Sequence, residues 1–268
     1  MKLILHVSVI PWRRGKDVRM RKWTIMIVMI ILAGLGWARP ARAQSKEADR
    51  LQRAALVVNA ILQAPDNGIP QDLLNRAVCV GVIPSAKKLA FGVGGTYGRG
   101  ALVCRQGGNG AWGAPSMILL SGASYGLQLG GQSTDIIFIV MSTEAAKRIM
   151  QSNLKLGADV SVAAGPVGRH AEGATNAHFN VGILSYSRSR GLFAGLSLSG
   201  AALKEDAKAN RKLYRRNIEP QEILLSGKVA PPPSAKPLDG VLEKYSPHGG
   251  AAAAKPFAPR APSAPHGA

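Results

Sequence analysis

The stretch from Cys79 to Gly200 constrains the fold most, because it is dense in glycine and broken into short apolar runs. Residues 81–200 contain 22 of the chain's 31 glycines. Most of the apolar runs are four to seven residues long, and turn signals such as Gly107-Gly108-Asn109-Gly110 separate them, which favours strands over helices. Glycine within a strand usually marks a bulge, a bend or a close backbone approach. We therefore predict an α+β fold with a strongly bent antiparallel sheet or half-barrel and packed helices.

Four helices are predicted outside the glycine-rich runs, and the second of them is a short one over Pro70–Ala77. Ser45 is a suitable cap for a helix over residues 46–63, and further helices are expected over 143–153 and 204–216. One face of the first helix is apolar at i, i+4, i+7 and i+11, through Leu51, Ala55, Val58 and Leu62. We interpret this face as the one that packs on the sheet. A helix lying on a membrane is the alternative.

A series of glycine-rich motifs runs in order from residue 81 to residue 195. The motifs are Gly81-Val82-Ile83-Pro84, Phe91–Gly100, Trp112-Gly113-Ala114-Pro115, Gln128–Asp135, Leu156-Gly157-Ala158-Asp159, Ala163–Arg169 and Ile183–Gly195. In this order they resemble the SYLF domain family over roughly residues 46–225. The resemblance implies lipid binding, with phosphoinositide and actin binding in eukaryotic members that also carry SH3 or FYVE modules. No such module is visible in this sequence.

The N-terminus has the pattern of an export signal. A basic start at Met20-Arg21-Lys22 precedes an apolar stretch over Thr24–Leu35, and Ala41-Arg42-Ala43 resembles a cleavage site. We therefore predict a signal peptide over residues 1–43, a SYLF-like domain over 44–225 and export to the bacterial periplasm. An uncleaved anchor is the alternative.

Export bears on Cys79 and Cys104, which are the two cysteines of the chain. In an oxidising compartment two such cysteines are expected to pair, so we predict a Cys79–Cys104 disulfide. Two buried free thiols are the alternative. Two cysteines alone make a poor metal site, and no metal or cofactor is predicted.

The C-terminal region is of low complexity from residue 226 onward. Pro231-Pro232-Pro233 begins a stretch rich in proline, alanine and glycine that continues to Ala268. Such a stretch lacks the apolar surface needed to fold, so residues 226–268 are predicted to be a disordered tail. It could serve as a spacer through the cell envelope or have no specific role.

The region 44–225 carries 20 basic and 12 acidic side chains, a net charge of +8. This excess predicts an acidic partner. Nucleic acid is excluded as a partner by the predicted export, by the absence of a nucleic-acid-binding motif and by the few aromatic residues. Basic residues beside turns or strand ends can reach phosphate groups. The predicted lipid contacts are Lys87, Lys88, Arg99, Arg105, Arg188 and Arg190.

Two patterns that suggest catalysis or metal binding lack their required context. Gly122-Ala123-Ser124-Tyr125-Gly126 has the spacing of a nucleophile elbow, but the residues after it make a poor helix. His170, Glu172 and His178 fit no standard zinc spacing. We therefore predict that the protein is not an enzyme and that it has no catalytic residues.

The function predicted from the sequence is non-enzymatic binding of anionic phospholipid at a membrane surface in the bacterial cell envelope. The protein would be periplasmic and peripheral to the membrane. The lipid class follows from the family resemblance, whereas composition supports only an acidic partner. The alternative is a structural or protein-interaction module of the periplasm that binds an envelope protein through a sheet edge or the proline-rich tail.

Overall fold

The fold comes from a computed structural model that describes residues 45–64, 68–151, 154–167, 181–189, 192–196 and 198–247. For residues 89–94, 123–130, 193 and 195 only the backbone is described. The helices are α1 (Lys46–Leu62), α2 (Gln71–Arg76), α3 (Thr143–Ile149), α4 (Ala207–Tyr214), α5 (Pro220–Leu225) and α6 (Lys236–Tyr245). The strands are β1 (Cys79–Cys104), β2 (Ser116–Val140), β3 (Leu154–Lys155), β4 (Val162–Ala164), β5 (Ile183–Ser189), β6 (Leu192–Gly195) and β7 (Ala201–Glu205).

Two unusually long strands form the centre of the sheet. β1 has 26 residues and β2 has 25, and they pair antiparallel from Cys79 opposite Val140 to Leu102 opposite Ser116. The short apolar runs therefore merge into two continuous strands, because the glycines between them stay in the ladder. The register shifts twice, and the first shift contains Ser85 with a φ of 54°. The backbone N–H of Ser85 donates to Asp135 Oδ1 at 2.9 Å, which fixes this bulge.

The long hairpin curls until the two halves of β1 lie side by side. The Cα atoms of Cys79 and Cys104 are 3.9 Å apart, and a disulfide joins the two residues. Beside this bridge, the N–H of Arg105 donates to the carbonyl of Val78 at 2.8 Å. At Gly100 the approach is so close that a Cβ atom would lie 1.8 Å from the carbonyl oxygen of Val82. Only glycine fits the backbone at this position.

The remaining strands extend the two ends of the curled hairpin. β7 pairs with Ile118–Gly122 of β2 and β3 pairs with β7, while β5 pairs with Asp135–Val140 at the other end of β2. β4 and β6 both pair with β5, β4 in parallel and β6 antiparallel. The predicted α+β fold with a strongly bent sheet or half-barrel is confirmed.

Each face of the sheet carries a buried apolar cluster. The inner cluster contains Phe138 and Leu120 and is covered by α3 and α5. The outer cluster packs Ile137 and Ile139 of β2 against α1, α2 and α6. Burial on both faces explains why β1 and β2 are apolar in runs and do not alternate with polar residues.

Helix α1 forms as its sequence predicts. The Ser45 hydroxyl accepts from the N–H of Ala48 at 3.1 Å, and the buried face of the helix includes Leu51, Val58 and Ile61. This face packs on the sheet, as expected. Among the described helices, none combines the length and the apolar character needed to cross a membrane.

The prediction of a disordered tail is wrong for residues 226–247. Helix α6 lies in this region and packs on α1, with Leu238 1% exposed and Leu242 fully buried. Two leucines four residues apart on one helix face supply the apolar surface that the proline-rich composition concealed. Residues 248–268 and 1–43 lie outside the described part of the chain.

Replacing Gly100 with alanine tests the close approach within β1. A Cβ atom at this position would overlap backbone atoms, so we expect Gly100→Ala to lower the free energy of unfolding by about 2–3 kcal/mol. A Cβ atom at Gly240 on α6 would instead point into open space. Gly240→Ala should therefore stabilise the protein by up to about 1 kcal/mol through helix propensity. Urea unfolding measures the change in the free energy of unfolding for both variants. Equal changes would contradict the close backbone approach at Gly100.

Asp239 on α6 gives the fold a specific pH dependence. Burial raises the pKa of Asp239 from 3.8 to about 7. The folded state therefore keeps this proton up to about pH 7, whereas the unfolded chain releases it near pH 4, so stability falls as pH rises between these values. The free energy of unfolding of Asp239→Asn, relative to that of the wild type, should therefore rise from pH 4 to pH 8. After discounting for partial exposure, we expect a rise on the order of 1 kcal/mol. Urea unfolding at the two pH values measures this gain.

Candidate functional site

Helix α4 and its C-terminal cap residue carry four exposed basic side chains. Lys208, Arg211 and Lys212 lie on one side of the helix, and Arg215 is its C-terminal cap, with a φ of 57°. All four are exposed, and the part of the chain that the structure describes contains no ion pair to any of them. We call these four residues the α4 basic stripe.

The opposite face of α4 is fixed to the start of β2 by hydrogen bonds. Asn210 is buried, accepts from the N–H of Met117 at 2.7 Å and donates to Ser116 Oγ at 3.1 Å. One turn later, the Tyr214 hydroxyl donates to the carbonyl of Pro115 at 2.6 Å. The basic stripe is therefore presented by a helix whose position is well determined.

A carboxylate organises the beginning of α4. Asp206 caps the helix by accepting from the N–H of Ala209 at 3.2 Å. Its other oxygen lies 3.6 Å from Arg99 Nε and 4.0 Å from Arg50 Nη1. Arg99 also donates to the Tyr97 hydroxyl at 2.8 Å, and this hydrogen bond together with Asp206 raises the pKa of Arg99. Arg99, a predicted contact residue, is therefore half-exposed, charged and adjacent to the start of α4.

Three other predicted contacts lie where β1, β2 and β5 meet, but on two different faces of the sheet. Lys87 donates to Ser133 Oγ at 3.3 Å, and Arg188 Nη1 lies 3.7 Å from an Asp135 oxygen on the same face. Lys88 follows Lys87 in the strand and points to the opposite face, where it lines a cavity. The structure therefore does not gather these three residues into one basic patch.

Arg105 is not available to a ligand, which corrects its place among the predicted contacts. It is 2% exposed, and its guanidinium donates to the carbonyls of Ala77, Gly110 and Ser246 at 2.8–3.2 Å. The guanidinium also stacks 4.1 Å from the ring centre of Trp112. These contacts lock the chain after α6 to the end of β1. Arg190, the remaining predicted contact, lies outside the described residues.

Removing the Arg105 side chain should release helix α6. Arg105→Ala removes the donor to the carbonyls of Ala77 and Gly110 and leaves the Ser246 carbonyl with Trp112 Nε1 alone, so we expect a loss of about 3 kcal/mol in the free energy of unfolding. Amide hydrogen exchange should show the largest loss of protection over Lys236–Tyr245. Arg99→Ala, an exposed change, should cost less than about 1 kcal/mol and leave α6 protected. Unchanged exchange in α6 of Arg105→Ala would disprove the lock.

The candidate catalytic and metal patterns receive no support from the fold. Gly122 to Gly126 lie inside the continuous strand β2, so the strand–turn–helix of a nucleophile elbow is not formed there. The described residues contain no group of three acidic, histidine or cysteine side chains that could hold a metal ion. His170, Glu172 and His178 fall outside those residues.

Sequence reasoning missed the basic stripe although its signal was present. The predicted helix over 204–216 drew attention to Asp206, Asn210 and Tyr214, which form the buried side. The i, i+3, i+4, i+7 spacing of the basic residues on the other side was the available signal. The spacing indicates a binding surface only if no acidic side chain pairs with these residues. The structure shows that no described acidic residue does so.

The sequence is similar to those of proteins described as actin regulators. The sequence model of the Ysc84 family, described as "Las17-binding protein actin regulator", matches residues 121–245. The yeast Saccharomyces cerevisiae "LAS seventeen-binding protein 3" is 38% identical over 208 residues, which covers 76% of this chain and 44% of the yeast protein. The bovine "SH3 domain-containing YSC84-like protein 1" is 32% identical over 206 residues, covering 76% of this chain and 59% of the bovine protein. The chain thus spans less than two thirds of either relative.

These relatives overturn the predicted function and location. They are eukaryotic proteins whose names describe Las17 binding and an SH3 domain, not phospholipid binding in a bacterial envelope. The prediction of anionic-phospholipid binding in the cell envelope is therefore wrong, and so is the periplasmic location. The location rested on the pattern of residues 1–43, and the lipid class rested on the family resemblance. The net charge supported only an acidic partner, and it does not distinguish an acidic membrane from an acidic protein.

What the relatives support is a coarser statement about partners and chemistry. The family is one of actin-regulator binding proteins and not a family of enzymes, and the relatives' names point to protein partners. The matched region includes most of β2, the helix that carries the basic stripe and the whole of α6. This chain belongs to the SYLF, or Ysc84, domain family.

Proposed function

We propose that this chain is a non-enzymatic protein-binding module that uses the α4 basic stripe to bind an acidic surface of an actin-regulatory protein. The observation that carries the proposal is the set of four exposed basic side chains on α4 and its C-terminal cap, none of them ion-paired within the described residues. The description of the family and the names of its yeast members support the class of partner.

The chemistry of the stripe suits a carboxylate-rich protein surface. Arg211 and Arg215 can each make two parallel hydrogen bonds to one carboxylate, and Lys208 and Lys212 add compact positive charges beside them. Because no carboxylate of the described residues has to be displaced from the stripe, a partner can approach it directly. Charge of one sign on one face also speeds association and makes it sensitive to salt.

The rigid support of α4 makes specific recognition physically reasonable. Asn210 and Tyr214 hold the helix to the start of β2, so the four charges keep a fixed spacing. Ordering costs on binding are then limited to the long basic side chains themselves. The unit that we propose to act as the module is residues 44–247, because α6 is part of its core.

A charge reversal on the stripe tests the proposal. Lys208→Glu combined with Lys212→Glu should weaken binding by roughly thirty-fold, if each contact contributes about 1 kcal/mol. The measurement uses purified yeast Las17 in one arm and actin filaments in the other. Binding should weaken as salt rises, because the contacts are exposed.

Lys147→Glu combined with Lys228→Glu is the matched control, since it changes two exposed lysines elsewhere by the same charge. Heparin serves as a competitor that reports non-specific binding to a polyanion. If the wild-type chain binds neither Las17 nor actin, or if both double variants lose equal affinity, the proposed function is wrong.

A further inference from the structure

A cavity of about 250 Å³ opens inside the curl of the sheet, on the face opposite Lys87 and Arg188. Residues of β1, β2 and β5 and of the segment between β6 and β7 form its wall. It lies apart from the α4 basic stripe and is not used by the proposed function.

Most of the polar side chains that line the cavity carry hydroxyl groups. Thr96, Thr134, Ser187 and Ser189 all contribute to it. Gln132 Nε2 donates to Ser189 Oγ at 2.8 Å, so the hydroxyl hydrogen of Ser189 can be donated to a ligand. No acidic side chain is among the described residues that line the cavity. The polar side of the wall therefore offers hydrogen bonds without negative charge.

Lys88 places one positive charge at this wall. Its side chain is exposed, and within the described residues the structure contains no ion pair or hydrogen bond to its ammonium group. Lys87, on the other face of the same strand, instead donates to Ser133. An ammonium group in this setting, beside several hydroxyl groups, favours a ligand with a single negative charge.

The rest of the wall is apolar. Ile136, Leu196 and Leu198 line the cavity together with Ala86 and Ala201. Leu198 is 7% exposed and Ile136 is 2% exposed, so this surface belongs to the inner cluster. A ligand that fills the cavity must therefore combine its charged group with a short apolar body.

We infer that this cavity binds a carboxylate carried on a short branched aliphatic body. The ammonium group of Lys88 pairs with the carboxylate, the hydroxyl groups of Ser189 and Thr134 donate hydrogen bonds to it, and the aliphatic part packs on Leu196 and Leu198. A doubly charged phosphate group fits less well, because proteins usually bind it with arginine clusters or helix N-termini and the described wall contains neither. The carboxylate can come from a small free acid or from the C-terminal residue of a protein chain.

Isosteric probes separate charge from shape. The full chain is titrated with 4-methylpentanoate and with the neutral 4-methylpentanamide, and backbone amide shifts are followed by NMR. The acid should bind more tightly than the amide and should shift amides of Thr134, Ser187 and Leu198. Lys88→Met should weaken binding of the acid by about tenfold and leave binding of the amide unchanged.

Lys87→Met is the matched control, because it removes the same charge one residue away on the opposite face. Leu198→Phe, which fills the cavity, should abolish binding of both probes. N-acetyl-leucine and N-acetylleucinamide form a second pair that distinguishes the source: a preference for N-acetyl-leucine over 4-methylpentanoate indicates a protein C-terminus, and the reverse indicates a free acid.

Two results would overturn the inference. The first is no shift at the cavity with any acid in a chain whose amide spectrum shows that it is folded. The second is equal weakening by Lys87→Met and Lys88→Met, which would mean that only net charge matters. Neither result bears on binding through α4, which the Las17 and actin measurements test separately.

Discussion

The fold depends on the close approach of the two halves of β1. A flat hairpin of 26- and 25-residue strands would leave both of its faces and both of its edges in water. Curling places Gly100 against Val82, where no side chain fits, and brings Cys79 to within bonding distance of Cys104. The curl also gives the sheet an inside and an outside, so two apolar clusters can form where a flat ribbon would form none. The disulfide follows from this geometry and needs no oxidising compartment to explain where the two sulfurs lie.

Both candidate sites are consequences of the same curl. The inner face leaves a cavity between the hairpin halves, where Lys88 and a set of hydroxyl groups meet apolar side chains. Residues 115–117, at the start of β2, provide the groups to which Asn210 and Tyr214 anchor α4, and this anchoring turns the basic stripe outward. The curl of the sheet therefore positions both the cavity and the α4 basic stripe. The chemistry of the two sites differs, since the first suits one small carboxylate and the second suits a broad acidic surface.

Local signals predicted some of this structure well. Ser45 and the apolar positions of α1 specify a capped amphipathic helix, and glycine density within strand patterns specifies a bent sheet. Features that depend on distant partners could not be predicted. In the sequence, Arg105 resembles an exposed basic residue at a strand end. In the structure it is buried, because it donates a hydrogen bond to Ser246, which lies 141 residues away in the chain. Leu238 and Leu242 are too few to indicate a helix within a proline-rich segment until α1 provides a surface for them. The stripe on α4 is visible as a spacing, but its lack of ion pairs to the described residues is a property of the fold.

The central claim is that the hairpin is curled, and nuclear Overhauser effects between α-protons test it most directly. Paired strands should give contacts from Val82 to Ile137 and from Gly100 to Ile118 whether or not the hairpin curls. The curl alone brings Gly100 next to Val82 and Ile83. We expect a strong contact from a Gly100 α-proton to the α-proton of Ile83. If the two cross-strand contacts are present and the contact between Gly100 and Ile83 is absent, the hairpin is flat and this account of the fold is wrong.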